Sequence, residues 1–86
     1  MGIHMNEIES RMLAQLTVIE QIYDIKIKNR DEIILFTAEK IYDPRQVLTI
    51  CTSLNTWIAN NNANNNMRGT VVIPQAVVSS LLERLK

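Results

Sequence analysis

The sequence predicts an all-α fold, a small bundle of about four helices. Three observations carry that prediction. Apolar residues recur at steps of three and four along residues 5–28, the spacing of one helical face. Gly and Pro number two each, too few for the turns of a sandwich or barrel. Asp43-Pro44 and Pro74 each stand where a helix would begin. The alternative is an α+β fold with a short hairpin near 25–37.

The first helix is expected over 5–28. Met5, Ile8, Met12, Leu16, Ile19, Tyr23 and Ile27 form its stripe, and Asn6 suits the N-cap. Glu7 and Glu9 favour the positive end of the helix dipole. Leu13, Val18 and Ile25 fall outside the stripe and suggest a second buried edge. Residues 22–37 are ambiguous. Ile25-Lys26-Ile27-Lys28 alternates like a strand, whereas Asp31-Glu32 resembles a helix start. A hairpin turning at Asn29-Arg30 would lack the glycine that tight turns favour. A helix over 31–42 is therefore preferred.

Asp43-Pro44 predicts a third helix over 44–60, with Val47, Ile50, Cys51, Leu54, Trp57 and Ile58 on one face. Its other face, Thr49, Thr52, Ser53, Asn55 and Thr56, holds no charge. The Asn-rich run that follows is expected to fray that helix into a mobile loop at 60–69, because Asn amides compete for backbone groups. Thr70-Val71-Val72-Ile73 looks extended, and Pro74 opens a last helix over 74–86. The expected core joins Ile8, Met12, Leu16, Ile19 and Tyr23 with Ile34, Ile41, Val47, Cys51, Leu54, Ile58, Val78, Leu81 and Leu85. No repeat is visible in the sequence.

With 86 residues, the chain has room for one domain and a modest core. Met1-Gly2-Ile3-His4 resembles an expression leader, so the domain is expected over 5–86. Nine basic side chains balance nine acidic ones, which argues against a general polyanion binder. No apolar run is long enough to span a bilayer, and no signal peptide is visible. A cytoplasmic location is expected, with Cys51 reduced.

Charge is distributed unevenly. Residues 5–45 hold eight acids and six bases, but residues 46–82 hold only Arg68. A free monomer usually surrounds its core with charge, and interface cores are depleted of it. The expected function is therefore a non-enzymatic protein–protein interaction module. It would bind a partner, or a second copy of itself, through the charge-poor half. Leu48, Thr52, Asn55, Thr56 and Trp57 are the candidate interface residues.

Candidate catalytic and metal-ligating chemistry is sparse. The single His4 lies in the leader, so no nucleophile–base pair can be assembled around it. Cys51 sits on an apolar helix face and is expected to be an inert buried thiol. Glu20 with Asp24, and Asp31 with Glu32, lack a third ligand. No cofactor, metal or small-molecule substrate is expected. The alternative function is a small dimeric DNA-binding regulator, built on a helix-turn-helix-like pair at 31–60. Its contacts would be Lys26, Lys28, Arg30, Arg45 and Gln46.

Overall fold

The computed structural model describes residues 6–65 and 69–85. Residues 1–4 and Arg68 lie outside them. Among the described residues are four helices and two short strands: α1 (Glu7–Tyr23), β1 (Ile25–Ile27), α2 (Arg30–Ala38), α3 (Gln46–Asn65), β2 (Gly69–Val71) and α4 (Gln75–Glu83). The fold is a small helical bundle joined by one parallel strand pair. Its Cα atoms span 37 × 34 × 18 Å, so it is thin, and every helix keeps a face toward solvent.

A capping box starts α1. Asn6 Oδ1 accepts from the Glu9 N–H at 2.8 Å, and Glu9 Oε1 accepts from the Asn6 N–H at 3.0 Å. The helix stops at Tyr23, not at 28. Asp24 turns into the left-handed region (φ 53°), and its N–H bonds back to the Glu20 carbonyl. From there the alternation of Ile25-Lys26-Ile27 prevails over the helical stripe. Both isoleucines face the core and Lys26 faces solvent.

The alternative hairpin near 25–37 is not formed. Residues from Arg30 onward are helical, and β1 pairs in parallel with β2, with Ile25 opposite Gly69 and Ile27 opposite Val71. Parallel pairing requires a long crossover, which α2 and α3 supply. Asn29 extends the ladder with its side chain. Its Nδ2 donates to the Ile73 carbonyl at 2.7 Å, and its Oδ1 accepts from the Ile73 N–H at 3.1 Å. The far edge of β1 is also occupied: the Ile27 N–H donates to Glu20 Oε2 at 2.7 Å.

Asp43 accepts from the Arg45 N–H at 2.9 Å, and Pro44 leads into α3 as expected. The helix then runs on to Asn65, so residues 60–65 are helical where a loop was expected. Within it, Asn61 Nδ2 donates to the Trp57 carbonyl at 2.8 Å, so this amide turns back onto its own helix. The rest of the expected loop, 66–68, lies outside the described residues.

Every expected core residue is buried or packed against the core, Tyr23 and Leu85 only partly. Ile25, Ile27, Ile33, Ile50, Val71, Ile73 and Leu82 join them. Val18, read as a second buried edge, is exposed instead, because α1 packs on α2 and α3 through its main stripe.

The chain folds as two like halves, although no repeat shows in its sequence. Each half is a long helix, a three-residue strand and a nine-residue helix. The strand register aligns Ile34 with Val78, Thr37 with Leu81 and Ile41 with Leu85, and all six are buried or partly so. Ile8, Met12 and Leu16 of α1 and Ile50, Leu54 and Ile58 of α3 are likewise buried at steps of four, although these pairs lie two residues off the strand register.

A candidate interaction groove between two helices

The long helix of the second half and its short partner do not close on one another completely. A groove of about 410 Å³ lies between them. Thr52, Ser53, Thr56, Trp57 and Asn60 form the α3 wall, and Val77, Ser80, Leu81 and Arg84 form the α4 wall. Helical spacing explains both sets. Thr52, Thr56 and Asn60 lie four apart, and Val77, Ser80, Leu81 and Arg84 lie three or four apart. Short Thr and Ser side chains leave the space open. Trp57 is half-buried against the core, and so is Val77, which gives the groove an apolar floor.

Arg84 is the only charged residue lining this groove among the described residues. It is exposed at the end of α4 and makes no ion pair among the described residues. Thr56 has its hydroxyl committed to the Thr52 carbonyl at 3.1 Å, so it offers the groove a methyl group.

Three of the five candidate interface residues, Thr52, Thr56 and Trp57, therefore come together here. The other two do not. Leu48 is 62% exposed, but it lines a separate hollow with Arg11, Ala14, Gln15, Pro44 and Arg45. Asn55 faces α1, where its Oδ1 accepts from the Tyr23 hydroxyl. Sequence reasoning missed the α4 wall. The spacing of Val77, Ser80, Leu81 and Arg84 was visible, but nothing local says that α4 lies beside α3.

The candidate nucleic-acid contacts are dispersed. Lys26, Lys28 and Arg30 share a hollow of about 260 Å³ with Asp31 and Thr70. Arg30 is bound to Glu20 at 2.8 Å, and Glu20 is largely enclosed. Arg45 and Gln46 stand at the start of α3 in other hollows. Arg45 is already paired with Asp43 at 2.8 Å, and its hydrogen bonds hold the Asp43 carboxyl below its usual range. Helices α2 and α3 pack chiefly on α1 and α4, not on each other as a helix-turn-helix pair would.

Of the candidate acids, Asp24, Asp31 and Glu32 are exposed, whereas Glu20 is enclosed with structural partners. Both carboxylate oxygens of Glu20 are engaged, one by the Ile27 N–H and one by Arg30. No group of three or more metal-ligating side chains occurs among the described residues. Cys51 is buried, 3.7 Å from the Met12 sulfur, and burial pushes its thiol up to about 12. It is therefore a neutral, packed side chain at ordinary pH. No helix among the described residues is long and apolar enough to cross a membrane. Comparison with protein-family models, curated proteins and solved structures finds no match for this chain.

Proposed function

We propose that the protein is a non-enzymatic interaction module that receives part of another protein in the α3/α4 groove. The observation that carries this reading is the lining of the groove. Two helix walls present Trp57, Val77, Leu81 and short hydroxyl side chains, with one charge at the end. Such a surface costs little to dry, because few charged groups must give up water. Trp and Arg are also the side chains that most often dominate binding energy.

Introducing an acid on the α3 wall tests the reading. Thr56→Glu places a charge in the groove at a side chain already exposed, so the fold should persist. Thr49→Glu places the same charge on α3 at a position that does not line the groove. Purification from native cells should recover a partner with wild type and Thr49→Glu, and lose it with Thr56→Glu. Equal recovery by all three would remove the groove as the binding surface.

A further inference from the structure

We infer that the occupant of the α3/α4 groove is an amphipathic helix of a different protein that brings one carboxylate to Arg84. This rests on the groove being the docking surface, and it adds the chemistry of the partner. Both walls are helices, and each contributes about two turns to the groove, a length of ~12 Å at 1.5 Å per residue. A third helix laid between them would anchor side chains at i, i+4 and i+7. Trp57, Val77 and Leu81 supply the apolar surface for those anchors.

Charge selects the partner. Among the described residues that line it, the groove holds one guanidinium and no carboxylate. A covering surface without an acid would strip water from Arg84 and return nothing, whereas a carboxylate can accept two parallel hydrogen bonds from it. A second copy docked through the same face fails this requirement. An isologous contact sets the patch against itself, so Arg84 would meet an uncharged wall or the other Arg84. A nucleic acid is a poor match as well, since phosphate binding draws on several cations and the groove supplies one.

The test is selection from a displayed library of random helical peptides against wild type, Arg84→Gln and Arg84→Glu. The Arg84 side chain is exposed and makes no ion pair among the described residues, so these variants should fold. Trp57 is the single tryptophan, and its emission reports whether a peptide sits in the groove. Wild type should enrich peptides with an apolar stripe and one Asp or Glu. Replacing that acid by its amide should weaken binding about tenfold in wild type and leave Arg84→Gln unchanged. Arg84→Glu should enrich Lys or Arg at the same position. Peptides that shift Trp57 emission yet bind all three proteins alike would overturn the carboxylate and leave the groove standing. Failure to enrich any peptide that shifts Trp57 emission would remove both. A rise in solution mass with concentration that Arg84→Glu abolishes would overturn the inference in favour of a second copy.

Discussion

Thr37 is fully enclosed, and its hydroxyl has no hydrogen-bond partner among the described residues. Leu81 holds the matching place in the other half, so the surroundings suit an apolar side chain. A buried hydroxyl without a partner costs about 1–3 kcal/mol. Thr37→Val keeps the shape and removes that cost. It should raise unfolding stability by about 1 kcal/mol in a denaturant titration. A lower stability would mean that the hydroxyl is satisfied in solution. Sequence alone could not single out this threonine, because its isolation depends on what α1 and α4 place around it. Cys51 is the opposite case: its position on the apolar face of 44–60 already marked it as an enclosed thiol. Tyr23 and Asn55 show the limit between the two. Each was assigned to the correct helix, but their mutual hydrogen bond spans two elements and has no local signature.

Among the elements, the end of α1 departs furthest from expectation. Ile27 continues the helical stripe in sequence, yet it lies in a strand. The reason is a knot of long-range polar contacts. Glu20 receives the Ile27 N–H with one oxygen and Arg30 with the other, tying α1, β1 and α2 together. Asn29 performs the same task across to Ile73. Removing the Glu20 carboxylate would strand a backbone N–H and an arginine whose Nε already lacks a hydrogen-bond partner among the described residues. Glu20→Ala should therefore lower stability by about 2 kcal/mol and speed amide exchange at Ile27. A loss no larger than that of the exposed-pair variant Glu7→Ala would contradict the assigned role, because exposed i,i+4 pairs contribute a few tenths of a kcal/mol. Helix starts were easier to locate, since Asn6, Asp43 and Pro74 act on their own neighbours. Helix ends were harder. At Asp24 the stop depends on a left-handed residue that is not glycine, and α3 runs on through its asparagines as far as Asn65.

Across the whole molecule, two like halves meet at a parallel strand pair but differ in charge. The first half carries nearly all the acids and bases, and the second exposes threonine, serine and asparagine. That contrast was legible in the sequence, as was the assignment of Thr52 and Thr56 to an uncharged helix face, although Trp57 was placed on the opposite, apolar face and the structure sets it beside them. The α4 wall and Arg84 were not, because their place beside α3 follows from the pairing of β1 with β2. Nor was the likeness of the halves, which lies in burial pattern and not in residue identity. We propose that partner contact occurs through the α3/α4 groove. Site-specific photo-crosslinking in native cells tests it most directly, with the crosslinking residue placed at Thr56 and, in a parallel sample, at Thr49. A discrete covalent adduct with another protein is expected from Thr56, and little or none from Thr49. An adduct of equal yield from Thr49, or from Thr49 alone, would contradict it.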